Sequence, residues 1–139
     1  MWAGYCDFYG ADVPEEITAE TWRRILDPAS RVGAVLAVLE AETVGFANFV
    51  LHPFTWSELP ACLLEDLYVA PAARGRGIGR LLIEHLVERA RSEGWARVYW
   101  HTRAGNTTAR RLYDRFCPAD GFVRYTIALE GPTATAGEG

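Results

Sequence analysis

Residues Leu67 to Leu86 read LYVAPAARGRGIGRLLIEHL. An apolar strand runs through Pro71 into three arginines, Arg74, Arg76 and Arg80, interleaved with three glycines, Gly75, Gly77 and Gly79. Glycine weakens regular structure by roughly 0.5–1 kcal/mol per residue relative to alanine. Three at one junction therefore imply a ligand that must approach the backbone. Successive N–H groups at such a turn, followed by the open start of a helix, make a concave anion site. A di- or polyphosphate meets that demand best, with the arginines reinforcing it. Just upstream, Glu65 and Asp66 are adjacent carboxylates on the same strand. Either can act as a general base or hold a cation. Regular strand alternation sends them to opposite faces, with Glu65 on the side of Leu67 and Val69.

Two common phosphate motifs fail here. The mononucleotide loop needs G-x-x-x-x-G-K-[ST], and no lysine stands in this region. A dinucleotide G-x-G-x-x-G would need glycine at Arg80 or at Leu82.

Composition narrows the partners. The 139 residues carry a formal charge of −4, so nothing draws the chain as a whole to nucleic acid or to an anionic membrane. The arginine cluster is a local basic notch on an acidic protein, suited to a small anion. Cys6, Cys62 and Cys117 are widely spaced and contain no C-x-x-C pair, which predicts neither a disulfide framework nor a zinc site. No metal is expected. With no basic-then-apolar leader and no apolar run of about 18 residues, the expected setting is the cytoplasm.

The elements that must position these residues follow from periodicity. Aromatics at Trp2, Tyr5, Phe8 and Tyr9 share one helix face, and VPEEITAETWRRILDP reads as a second helix. RVGAVLAVLE and TVGFANFVLHPF form a hairpin, and Ala61 to Val69 is a third strand after a loop holding Trp56. A helix from Ile78 to about Glu93 carries the stripe Ile78, Leu81, Leu82, His85, Leu86 and Ala90, with Gly94 as its stop. Ala96 to Arg103 is the returning strand, parallel to the third. Asn106 caps a short helix, Gly121 to Glu130 is a final strand, and 131–139 is a disordered tail. The predicted order is α-α-β-β-β-α-β-α-β in one domain, 1–130.

The pattern R-x-x-G-x-G over Arg74 to Gly79, then N-x-x-A-x-x-L-Y at Asn106, Ala109, Leu112 and Tyr113, then Gly121-Phe122, resembles the GNAT superfamily of acetyl-CoA-dependent N-acetyltransferases. The match runs from about Val32 to Leu129. LLEDLYVAPAARGRGIG looks most like the polyamine and diamine branch. Two features depart from the family: its usual first strand is missing, and the stretch from Tyr113 to Gly121 is long.

The resemblance implies an α/β (α+β) fold with a mixed, mostly antiparallel sheet, helices on both faces and a V-shaped opening between strands. It also implies acetyl-CoA as acyl donor. The loop Arg74, Gly75, Arg76, Gly77, Ile78, Gly79 and Arg80 would hold the pyrophosphate. The main chain of Leu67, Tyr68 and Val69, with Asn106 and Ala109, would hold the pantetheine arm. Glu65 becomes the general base and Tyr113 the acid that protonates the departing thiolate. Asp66 is a substrate-amine anchor or a structural partner, and Trp56 shapes the substrate mouth. His101 is a reserve base. The expected acceptor is a small cationic amine, and pairing of two copies is expected, since dimers are common in the family. Alternatives left open are transfer to a protein lysine or amino terminus, and a CoA-binding sensor without chemistry.

Overall fold

The computed structural model describes residues 1–129. They begin with two helices, α1 (Trp2–Tyr9) and α2 (Glu15–Leu26), and continue into β1 (Val32–Leu39), β2 (Glu42–Phe54) and β3 (Ser57–Val69). A 3-10 turn at Pro71–Ala73 leads to α3 (Ile78–Glu93), then β4 (Arg97–Trp100) and α4 (Thr107–Tyr113). The chain divides into two compact units, Met1–His101 and a second that begins at Thr102.

The first unit holds a four-stranded sheet in the order β1-β2-β3-β4. β1–β2 and β2–β3 are antiparallel, and β3–β4 is parallel through the α3 crossover. The expected mixed, mostly antiparallel sheet is present. The β1–β2 connection turns on Glu40 and Ala41, both with positive φ (50° and 68°), the signature of a type I′ hairpin turn.

Two layers cover the sheet. Phe46 and Tyr68 are register partners on one face, and Trp2 and Tyr5 of α1 pack against them. On the other face lie Ala47, Phe49, Cys62 and Leu64, buried with Leu82, Ile83, Leu86 and Ala90 of α3. The Arg89 guanidinium lies over the rings of Phe49 and Trp95, 5.2 and 5.7 Å from their centroids, and its Nε pairs with Glu93 at 2.7 Å. At roughly 25 cal/mol per Å² of apolar surface, this layer is the main stabilising term of the unit.

Three expectations are corrected. The buried stripe of α3 includes Ile83, fully buried, whereas His85 is exposed and Leu81 largely so. Ile83, Leu86 and Ala90 follow i, i+3, i+7, and the phase that admits Ile83 turns His85 outward. The third strand starts at Ser57 rather than Ala61, because the β2–β3 ladder extends to Phe54 opposite Ser57. Finally, residues 121–129 form no strand: Phe122, Val123, Tyr125, Ile127 and Leu129 are all exposed. An alternating apolar pattern becomes a strand only when a neighbouring ladder satisfies its backbone. Glu130 and the expected tail, 131–139, lie outside the described residues.

Candidate active site

The end of β3 leads directly into the anion loop. Gly75 and Gly77 adopt φ of 75° and 78°, a region that costs an ordinary L-residue roughly 1–2 kcal/mol. No protein atom lies within 4 Å of where a side chain would begin at either position. The glycines therefore serve the turn and the access to main chain, not packing. Gly77 caps α3, whose first internal bond runs from the Leu81 N–H to the Gly77 carbonyl at 3.1 Å. The N–H groups of Ile78, Gly79 and Arg80 precede that bond and have no intrahelical acceptor. With the positive end of the helix dipole behind them, they fit a phosphate.

The three arginines divide their work. Arg74 turns away from the loop: its Nε donates to the Val69 carbonyl, and its guanidinium lies 5.5 Å from the Phe8 ring centroid and 5.9 Å from that of Tyr68. Arg80 pairs with Glu84 one turn along α3, at 3.0 Å on the surface. Arg76 is exposed and, among the described residues, has no hydrogen-bond or ion-pair partner. Its charge is the one available to a ligand at the loop.

β3 is where the sheet opens. β4 pairs with it only from Ala61 to Leu64, ending at Trp100, while β3 continues to Val69 with β2 alone beside it. Among the described residues, the main chain from Glu65 to Val69 thus has no strand neighbour on the β4 side. At the start of this stretch sits a bulge. Asn48 pairs with Asp66 and Phe49 with Leu64, leaving Glu65 as the extra residue. Because Asn48 and Phe49 point to opposite faces, so do Leu64 and Asp66, although they are two residues apart. Alternation counted back from Leu67 and Val69 therefore does not carry through to Glu65. Glu65 is exposed at the bulge, and Asp66 faces the α1 side.

Asp66 is doubly engaged. The Tyr5 hydroxyl donates to its Oδ1 at 2.5 Å, and Asn48 Nδ2 donates to its Oδ2 at 3.1 Å. Burial and the Asp66 carboxylate, with smaller effects from Tyr9 and Glu65, push the Tyr5 phenol far above its ordinary range, so it stays a donor. From the sequence Asn48 is not singled out, and Tyr5 figures only as one aromatic of the α1 face. Asn48 carries a detectable signal: a polar residue inside GFANFV, 8% exposed, must have a buried partner. Tyr5 gives no such sign, being one aromatic in a helical stripe of four.

In the second unit, Asn106 caps α4 as expected. Its side chain accepts from the Ala109 N–H at 3.3 Å and donates to Thr102 at 3.2 Å. Tyr113 is half-buried at the last turn of the same helix.

Other candidates fall away from this arrangement. Trp56 is 89% exposed at the β2–β3 turn, next to Phe54. It precedes Ser57, while the anion loop follows Val69, and a 13-residue strand spans about 40 Å. Trp56 thus stands a strand's length from the anion loop, at the opposite end of β3. His52 Nε2 lies 2.8 Å from the Tyr99 hydroxyl, and His101 meets the same ring edge-on. Burial pushes the Cys62 thiol up to about 12, which keeps it protonated and unsuited to nucleophilic attack. Among the described residues no cluster of histidine, cysteine and acidic side chains could hold a metal, and no helix is long and apolar enough to cross a membrane.

Comparison with known proteins agrees with this geometry. The chain is 35% identical over 118 residues to D-amino-acid N-acetyltransferase HPA3 of Saccharomyces cerevisiae, covering 83% of the chain and 73% of that enzyme. It is 33% identical over 97 residues to thialysine N-epsilon-acetyltransferase of Caenorhabditis elegans, covering 70% of the chain and 59% of that protein. It spans half the length of another relative, N-acetyltransferase YjgM of Escherichia coli. Among solved structures, ribosomal-protein-alanine N-acetyltransferase from Brucella melitensis superposes with a TM-score of 0.73 at 25% identity, over 92% of this chain and 87% of that one. AAC(6')-Iy, solved in complex with the bisubstrate analogue CoA-S-monomethyl-acetylneamine, shares the fold with a TM-score of 0.77 at 19% identity, over 94% and 90% of the two chains. The model of the acetyltransferase (GNAT) family matches residues 1–117, and with it the bulged strand, glycine turn and helix start find their common explanation: the chain belongs to the GNAT family of acetyl-CoA-dependent N-acetyltransferases.

Proposed function

We propose that the chain transfers an acetyl group from acetyl-CoA to the primary amine of a small molecule by direct attack. The observation that carries this reading is the open anion loop, Gly75 to Arg80, placed at the end of a strand whose last five residues have no β4 partner. Backbone N–H groups of the loop and Arg76 hold the pyrophosphate. The main chain of Leu67, Tyr68 and Val69 takes the pantetheine arm as an added strand, with Asn106 and Ala109 contributing from the start of α4.

An alkylammonium has a pKa near 10.4, so it must lose a proton before attack. Glu65, through a water, accepts that proton. The amine nitrogen then bonds to the thioester carbon, and a backbone N–H near Val69 stabilises the oxyanion. The carbon–sulfur bond breaks as Tyr113 gives its phenolic proton to sulfur. The protonated state of Cys62 favours this route over an acyl-enzyme.

The acidic bulge favours a cationic acceptor, such as a diamine or polyamine. An amino-acid amine is the second reading. It is favoured by the engagement of both Asp66 oxygens within the protein and by the D-amino-acid acceptor in the name of the yeast relative. The setting we assign is the cytoplasm, with two copies pairing; sedimentation at micromolar concentration tests the pairing. Turnover is tested by release of free CoA from acetyl-CoA across polyamines, diamines, D- and L-amino acids and a lysine peptide. Release with at least one small amine is expected, falling by roughly a hundredfold or more in Glu65→Gln. Binding of acetyl-CoA with no release from any amine would leave a sensor instead of an enzyme.

A further inference from the structure

We propose that Tyr5 is a positioning residue for the acceptor: by fastening α1 to Asp66, its hydroxyl fixes the aromatic wall beside Glu65 and makes Asp66 a brace rather than the anchor of the amine. This rests on the acetyl-transfer reading above.

Each oxygen of Asp66 has its own donor from a different element, Tyr5 from α1 and Asn48 from β2. Asp66 directly follows the bulge residue Glu65, so the latch closes one residue from the base. The Tyr5 ring is wedged among Trp2 (stacked, 5.3 Å), Tyr9 (4.8 Å), Phe46 (5.8 Å) and Tyr68 (6.2 Å, edge-on). α1 lies close enough to the sheet that a methyl on Gly4 would come within 2.6 Å of the Tyr68 hydroxyl oxygen.

The helix cannot hold this position unaided. It has eight residues, no side-chain cap and no fully buried residue, and a helix that short is unstable in water by itself. Its seat depends on the aromatic contacts, on the Arg74 guanidinium over Phe8 and on polar ties that include Tyr5 to Asp66 and the Trp2 Nε1–H to Thr18 Oγ1 at 3.1 Å. The register of β3 is held separately, by its ladder to β2. Arg74 is tied to β3 by its bond to Val69 and its place over Tyr68, and touches α1 only through the Phe8 ring. Releasing the Tyr5 hydroxyl therefore loosens the acceptor wall and leaves the donor loop in place.

The test is steady-state kinetics of Tyr5→Phe in the full chain with the best amine of the panel. The expected result is an acceptor KM raised roughly tenfold, the scale of a hydrogen bond to a charged group, with kcat and acetyl-CoA KM changed less than about twofold. Because the hydroxyl acts through Asp66, Tyr5→Phe/Asp66→Asn should lose no more than Asp66→Asn alone. Additive losses, an unchanged acceptor KM, or equal damage to both substrates would overturn the proposal. If Tyr5→Phe does not fold, Trp2→Phe removes another polar tie of α1, the one to Thr18, and should show the same split at smaller amplitude; no split there overturns it equally. Failure of the underlying reading looks different: wild-type protein would then bind acetyl-CoA and acetylate nothing, which removes the acceptor role altogether.

Discussion

The Nε of Arg74 donates to the carbonyl oxygen of Val69 at 3.0 Å, joining the last residue of β3 to the first residue of the R-x-x-G-x-G loop. The same side chain lies over Phe8 of α1 and Tyr68 of β3. The arginine that opens the motif therefore braces the loop, and the charge directed to a ligand belongs to Arg76. Lysine keeps charge but has neither the planar face nor the fork. Arg74→Lys is expected to cost about 1 kcal/mol of stability, and to weaken acetyl-CoA as the loop loosens. Arg76→Ala should weaken acetyl-CoA with stability unchanged. Urea unfolding paired with calorimetric titration of CoA separates the two, and a stability loss at Arg76 would contradict this division.

Tyr113 gives a second prediction. A phenol that protonates sulfur acts in the departure of the thiolate and not in binding. Tyr113→Phe should lower kcat at least tenfold while leaving the Kd of CoA within about twofold. Equal losses in both would assign the ring to cofactor packing.

The pH dependence of stability follows from Tyr5. Its phenol is raised above the ordinary tyrosine value in the folded protein, by burial first and then by Asp66. Its contribution is therefore complete below about pH 10 and is lost as pH rises beyond it, where the unfolded chain ionises first. The chain has no lysine, which leaves this alkaline window to tyrosine and cysteine. Cys62, pushed up to about 12, acts in the same sense but is common to wild type and variant. Urea midpoints should fall more steeply between pH 8 and pH 11 in wild type than in Tyr5→Phe; parallel slopes would refute the latch.

The hairpin at Glu40 and Ala41 offers a gain. Both residues hold left-handed backbone without being glycine or asparagine. Replacing the pair with Asn-Gly, the preferred type I′ sequence, should stabilise the protein by about 1 kcal/mol. Thermal melts read this as a Tm rise of a few degrees with activity unchanged.

The glycine turn and the helix start after it were readable because everything they need is consecutive. Glycines at 75 and 77 can take positive φ, and the helix after them must leave its first N–H groups open whatever the rest of the chain does. Asn106 is similar, since its cap partner Ala109 is three residues away. Features that depend on another segment were not readable. Whether Glu65 follows the alternation of Leu67 is set by β2, which supplies two consecutive residues against three on β3. The Tyr5–Asp66 bond joins positions 61 residues apart. The apolar alternation after Gly121 describes a strand the described structure does not form, because periodicity states which side chains share a face and not whether a ladder is present to meet them. Local backbone conformation is set by steric terms within a few residues. Pairing, bulges and the partners of buried polar groups are set by which distant segments the fold brings together.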